Sequence, residues 1–368
     1  MVNSTVEIPL ELDKEIYWLF LAWKQYCNSQ SNSNFINESF TEEECSNLLA
    51  TAKRMSLLQV VAHSFNMHPS FVKFQPIIES YKKVTEIIHH LQNHEAIRIN
   101  DILTKHKVPH LFFKGLYFNN SIYKDGAKSI SGDIDILVPK ADIPKVKSLL
   151  IEHGFSQNQQ FIKGHLVEVN DLEIEKIETE HYELYPFNKF CIAPELNGYK
   201  DFIERYIDSQ IFLFENDRTT VSIQLDVHHG LSHGIDHEDV WSNPQSFILN
   251  NNFLNSLSNE TLFWFLSARF YHETMILNEK KVKLLTAVAK LCQLELDYKE
   301  VLRVTNKYSL HPSLFYVSLF LKKFFDIPIP EEFIEELASK KSSGIRDWGD
   351  FQAKILDRDP LYNIILRK

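Results

Sequence analysis

The sequence predicts an α+β fold in which a mixed β-sheet lies between two helical regions. Three observations carry that reading. Short runs rich in β-branched and apolar residues, at 108–113, 134–138 and 221–228, cluster in the middle of the chain. Apolar residues recur at helical spacing on both sides of that cluster. At 368 residues the chain is long enough for two or three lobes. The expected division is a helical N-terminal region over residues 1–105, a sheet core over 106–245 and a helical C-terminal region over 246–368.

Composition narrows the classes. An apolar fraction of 44% with 24% charged residues is that of a folded globular protein and not of a disordered one. A formal net charge of -10 argues against an extended nucleic-acid surface. Cys27, Cys45, Cys191 and Cys292 are scattered without paired spacing, so neither a zinc site nor a disulfide framework is expected, and a reducing cytoplasm fits. The first residues, MVNSTVEIPLELDKE, lack the basic start and apolar run of a signal peptide. No stretch reaches the roughly 20 apolar residues that span a bilayer.

Taken in order, residues 10–26 place Ile16, Leu19, Phe20 and Trp23 at helical spacing. A Ser/Asn-rich break follows at 28–34. Thr41 and Glu44 then form a capping box opening a helix that runs toward His63. A long amphipathic helix is expected over 76–107, with Ile87, Leu91, Ile97 and Leu103 on its buried face. His90 and His94 share a face there, but no acidic third ligand accompanies them, and a solvated polar face is the reading.

The strand at 108–113 ends in Lys114-Gly115 and leads into a helix-like run over 116–123. A glycine at such a junction lets backbone N–H groups approach a phosphate, and a helix N-terminus favours an anion. In the strand at 134–138, residues two apart share a face, so Asp133 and Asp135 project together while Ile134 and Ile136 pack opposite. Two adjacent carboxylates repel and need a counter-charge; a hard divalent cation such as Mg2+ supplies it.

A helix over 140–153 ends at Gly154. Strand-like runs follow between 161 and 192, among them 166–169 and 181–185, the latter with His181 and Glu183 on one face. A hairpin comes next, with strands at 211–214 and 221–226 around a turn at 215–218. It carries Asp226 between the apolar Leu225 and Val227 toward the sheet centre. His228, His229 and His233 follow closely, and imidazole beside carboxylates points to Fe, Mn or Zn. Three aspartates, by contrast, make an all-oxygen set suited to Mg2+. From Ser258 onward the chain reads as helical through 261–276, 283–294, around Leu302, 315–325 and 330–338. Arg269, His272, Lys281 and Lys283 are polar or cationic groups there, each read as surface.

Lys114-Gly115, the run GDIDILV from Gly132 to Val138, and Leu225-Asp226-Val227-His228-His229 together resemble the nucleotidyltransferases of the DNA polymerase β superfamily. More narrowly, they resemble the bacterial "uncharacterised nucleotidyltransferase" group, over about residues 108–231. Two positions depart from the pattern: Leu116 stands where a serine is usual after the glycine, and Ser129 stands where the narrower group carries an arginine. Lys128 is adjacent, but an ammonium does not reproduce a guanidinium fork.

The resemblance implies a mixed-sheet nucleotidyltransferase core and transfer of a nucleoside monophosphate from an NTP to an unidentified acceptor hydroxyl, with release of pyrophosphate. It implies Asp133, Asp135 and Asp226 as catalytic residues and ligands of two Mg2+ ions. Lys114, Gly115, Lys128, Ser129 and Gly132 are then the nucleotide-binding positions for ATP or another NTP. The acceptor is open among a small molecule, a peptide, a protein and a tRNA. Two competing readings are a nucleotide-binding or regulatory module of the same fold that has lost turnover, and metal-dependent phosphate hydrolysis around His228-His229.

Overall fold

The protein is represented by a computed structural model, which describes residues 14–28, 39–123, 128–162, 164–207, 210–232, 234–276 and 282–340. Most of the break expected at 28–34 lies outside those residues, as do His233 and Lys281. The chain forms two compact units, one from residues 1–78 together with 259–368, the other from residues 79–258.

The first helices are α1 (Lys14–Cys27), α2 (Glu42–Arg54) and α3 (Leu58–Ser64). Thr41 caps α2 with both halves of the expected box: its hydroxyl accepts from Glu44 N and Glu44 Oε2 accepts from Thr41 N. The single helix expected to run on toward His63 is instead two. Ser56 takes a left-handed conformation (φ 55°), which ends α2 and turns the chain into α3.

Helix α4 (Gln75–Lys105) is close to its expected bounds, but its buried side is rotated from the expected one. Val84, Ile88, Ala96, Ile99 and Leu103 are fully buried, whereas Ile87, Leu91 and Ile97 are half-buried. The reason is a polar strip of His89, Gln92, Asn93 and Glu95 that is buried as well. Apolar periodicity alone is blind to such a strip.

The sheet unit contains β1 (Leu111–Phe113), the three-residue α5 (Gly115–Tyr117) running on into a π-turn over Phe118–Ile122, and β2 (Asp133–Leu137). Helix α6 (Ile143–Glu152), the hairpin β3 (Gln159–Ile162) and β4 (His165–Glu168), and α7 (Asp171–Glu180) follow. Then come β5 (Phe187–Ile192), α8 (Lys200–Tyr206), β6 (Phe212–Glu215), β7 (Arg218–His228) and α9 (His237–Val240). The hairpin β8 (Gln245–Leu249) and β9 (Asn252–Ser256) completes it.

The main sheet runs β1-β2-β7-β5, with β2 and β7 parallel and the other pairs antiparallel; β6 also pairs with β7. Because β5 and β6 both pair with Val221, they take opposite edges of β7, and β6 shares its edge with β2. Ile134, Ile136, Leu225 and Val227 lie side by side in the parallel register and are fully buried, forming the hydrophobic side of this sheet. Asn216 and Asp217, both at positive φ, make the two-residue turn that folds β6 onto β7.

Residues 181–185, expected as a strand, form only a single bridge between Glu183 and His228. The preceding residues 171–180 are helical instead. Asn170 caps that helix by accepting from Glu173 N (2.8 Å), and Ile174 with Ile177 packs against Val169 and Tyr185.

The C-terminal helices are α10 (Asn259–Tyr271), α11 (Val282–Leu291), α12 (Tyr298–Tyr308), α13 (His311–Phe325) and α14 (Glu331–Lys340). Arg269 on α10 pairs with Glu273 (Nε–Oε1 2.6 Å). Helix α1 belongs with these helices: Trp23 Nε1 donates to Thr286 Oγ1 (2.8 Å), and the Phe20 and Trp23 rings pack on Phe325 at 5.2 and 4.7 Å. The architecture is α+β, with a mixed sheet in a largely helical chain.

Candidate active site

The parallel register of β2 and β7 sets Asp135 opposite Asp226 and Asp133 opposite Gln224. Paired residues of neighbouring strands, and residues two apart on one strand, share a face. Asp133, Asp135, Asp226 and His228 are therefore on one side of the sheet, away from the Ile134/Leu225 side. Asp135 is 1% exposed and His228 likewise, while Asp133 and Asp226 are half-buried. Ser131 Oγ donates to Asp133 Oδ1 (3.0 Å), and Gln224 Nε2 donates to Asp226 Oδ1 (3.0 Å).

Lys114, at the end of β1, has its ammonium ion-paired with Asp135 Oδ1. Its backbone sits at φ 50°, ψ -126°, a conformation that glycine tolerates and a lysine does not favour. Gly115 is required sterically, because a Cβ there would overlap the Ser131 hydroxyl. The usual serine hydroxyl is missing at Leu116, yet a hydroxyl does stand beside the glycine, supplied by Ser131 from the next strand's approach. The helix-like run expected over 116–123 is present as α5 continuing into the π-turn to Ile122, with Lys114 immediately before its first residue.

The approach to β2 is held by its backbone. Tyr81 Oη donates to Lys128 O (3.1 Å), and His89 Nε2 lies 2.9 Å from Ser129 O. Asn119 brackets the Ser129 peptide, accepting from its N–H (3.1 Å) and donating to its carbonyl (3.0 Å). Gln92 Nε2 donates to Ser131 O (3.0 Å). Lys128, Ser129 and the half-buried Gly132 thus form a fixed strap leading to Asp133.

His228 closes the site. Its Nε2 is 3.0 Å from Asp135 Oδ1, and Glu183 Oε2 lies 3.3 Å from its Nδ1, outside hydrogen-bond geometry. The Phe113 ring contacts its ring edge-on at 5.1 Å, and Tyr182 stacks at 6.3 Å. His229 is anchored through its backbone N–H to Tyr182 O, and His181 is exposed.

Charge is distributed unequally among these groups. Burial pushes the Asp135 carboxyl up, but the Lys114 ammonium and the His228 contact outweigh it and hold Asp135 well below the usual carboxylate range. Asp226 goes the other way: burial, then the charges of Asp133 and Asp135, raise it well above that range. Burial, aided by Lys114, lowers His228 and keeps its imidazole neutral at neutral pH.

Among the described residues, one group of acidic, imidazole or thiol side chains is close enough to hold a metal ion. It consists of Asp135, Asp226 and His228, whose ligand atoms lie within 4.8 Å of one another. Two buried atoms of that group, Asp135 Oδ2 and His228 Nδ1, have no hydrogen-bond partner. A buried carboxylate oxygen without a donor is what a cation satisfies, so the residues fit a divalent ion. Asp133 is not in this group, although its charge acts on Asp226. His90 and His94 do not form such a group.

Sequence reasoning placed the three aspartates and Lys114 in one neighbourhood but left the Lys114–Asp135 pair and the Glu183–His228–Asp135 chain unread. The one available signal was the alternation Gln224-Asp226-His228, which puts the histidine on the aspartate face.

Searches of curated proteins and of solved structures return no significant match. Residues 41–326, well over half of the chain, match the family described as uncharacterised nucleotidyltransferase. With its paired carboxylates on adjacent strands, the chain belongs to the uncharacterised nucleotidyltransferase family.

Proposed function

We propose that the chain transfers a nucleoside monophosphate from an NTP to an acceptor hydroxyl. An acceptor oxygen forms a bond to the α-phosphorus, the bond to the β-phosphate oxygen breaks, pyrophosphate leaves and the hydroxyl proton passes to a base. Nucleotidyl transfer in the general sense follows from the family; the metal, the acceptor and the residue roles are our reading. The observation that carries it is the parallel register bringing Asp135 and Asp226 side by side with Asp133 on the same face.

In this reading Asp133, Asp135 and Asp226 hold the divalent ions, Mg2+ in the all-oxygen form, which neutralise triphosphate charge and acidify the acceptor hydroxyl when bound. Asp226, beside Asp135 across the parallel register, takes the acceptor proton. Lys114 holds phosphate charge, and the backbone around Gly115 and Lys128–Gly132 borders the donor. The residues 106–245 serve as the catalytic core, acting in the cytoplasm on a nucleotide substrate without a membrane partner. Among the described residues no helix is long and apolar enough to cross a membrane.

The test is Asp135→Asn, which keeps the shape and removes the charge. Labelled-NMP transfer, assayed with each NTP against fractionated extract, should fall at least about 100-fold, the loss of one preorganised electrostatic group. Transfer at the parent rate would defeat the proposal.

The Lys114–Asp135 pair supports a second reading, in which the ammonium permanently replaces an ion and the fold is a nucleotide-binding or regulatory module. Calorimetry with Mg2+ and NTPs separates the two: the enzyme binds NTP more tightly with the metal, the module does so indifferently.

A further inference from the structure

His228 sits between two carboxylates, 3.0 Å from Asp135 on its Nε2 side and 3.3 Å from Glu183 on its Nδ1 side. His228 and Asp135 are each 1% exposed, whereas Glu183 is 39% exposed. His228 Nδ1 and Asp135 Oδ2 are both buried without a hydrogen-bond partner. A cation between Nε2, Asp135 and Asp226 would satisfy the unpartnered carboxylate oxygen, make Nε2 a ligand and leave Nδ1–H facing Glu183. Metal-bound histidines characteristically donate their second ring N–H to a carboxylate, which fixes the tautomer.

We propose that His228 is a metal ligand oriented by Glu183, and that the resulting mixed nitrogen–oxygen site prefers a first-row divalent cation such as Mn2+ over Mg2+. This deepens the metal-dependent reading above and rests on it. The donor set Asp135, Asp226 and His228 lies within 4.8 Å, and the buried Asp135 Oδ2 without a hydrogen-bond partner lies inside it. Imidazole suits borderline cations, whereas Mg2+ is confined to oxygen ligands and water. Glu183 is a positioning residue here, acting on the ion only through the imidazole.

Pulsed EPR on the full chain loaded with Mn2+ tests this directly, because a coordinated imidazole nitrogen modulates the electron-spin echo. The unaltered protein should show directly coordinated nitrogen and bind Mn2+ at least about tenfold more tightly than Mg2+. His228→Gln should abolish the nitrogen signal and weaken Mn2+ about 10–100-fold while the carboxylates still hold some ion, and Glu183→Gln should keep the signal with weaker binding. Bound Mn2+ without nitrogen coupling in the unaltered protein overturns the proposal but leaves metal-dependent transfer standing. Equal affinity for Mg2+ and Mn2+ overturns the selectivity. No binding of either ion, with or without NTP, overturns both this inference and the metal-dependent reading beneath it.

Discussion

At the residue scale, Lys114 is the most informative position. It combines a disfavoured backbone with an ammonium seated on a buried carboxylate, and conformational strain of this kind costs about 1–3 kcal/mol that the surroundings must offset. Removing the ammonium leaves the Asp135 charge buried beside Asp226, with His228 as its remaining hydrogen-bond contact. Lys114→Met should therefore destabilise the metal-free protein by about 3 kcal/mol at pH 7, measured by urea denaturation. The sign with pH is fixed by Asp135. Its folded-state proton affinity is depressed, so its contribution is present above the ordinary aspartate range and lost as pH falls below it. The gap between Lys114→Met and the unaltered protein should accordingly narrow in acid. Lys114→Gly loses the same ammonium but relieves the backbone, and should be more stable than Lys114→Met by about 1 kcal/mol; equal stability would show that the backbone carries no strain.

At the element scale, α4 is a scaffold with a polar inner strip, and His89 is its pH-sensitive member. Burial, opposed by the contact to Ser129 O and reinforced by Lys128, lowers His89 from 6.5 to about 4. A histidine depressed in the folded state binds more protons when unfolded, so stability is full above pH 6.5 and declines as pH falls toward 4. By linkage that decline amounts to about 3 kcal/mol. His89→Gln should flatten this stretch of the stability curve, as followed by thermal melting between pH 7 and 4.5; an unchanged slope would remove His89 as its cause.

What the sequence made legible is also clearest among the elements. The Ile134/Ile136 alternation with Asp133/Asp135 revealed β2, its two faces and half of the site, because a strand's period of two is written in adjacent residues. The capping box at Thr41 revealed the start of α2 for the same local reason. Lys114 and His228, by contrast, reach Asp135 from 21 and 93 residues away, and no local pattern encodes that meeting. Helix α7 was hidden because its charged stretch, with Ile174 and Ile177 as a thin apolar stripe, carries little helical periodicity. The rotated face of α4 was misread because buried His89, Gln92 and Asn93 count as polar in any apolar tally.

At the scale of the whole molecule, the helical unit is closed by its two distant ends. Trp23 is 1% exposed, packs on Phe325 and donates to Thr286 across 263 residues of chain. Trp23→Ala should cost about 3–5 kcal/mol in that unit, read from denaturant unfolding followed by circular dichroism. A loss below about 1 kcal/mol would mean that α1 contributes little to it. The sheet unit, by contrast, is one uninterrupted segment, residues 79–258. At a ribosomal pace of roughly 5–20 residues per second, those 180 residues take about 10–40 s to emerge. Helix α1 packs on its neighbours α2 and α3, but its contacts to Thr286 and Phe325 form only after residues 79–258 have been made. During synthesis residues 79–258 can mature while the Phe20 and Trp23 side of α1 is still uncovered, which makes that side the natural target of a nascent-chain chaperone.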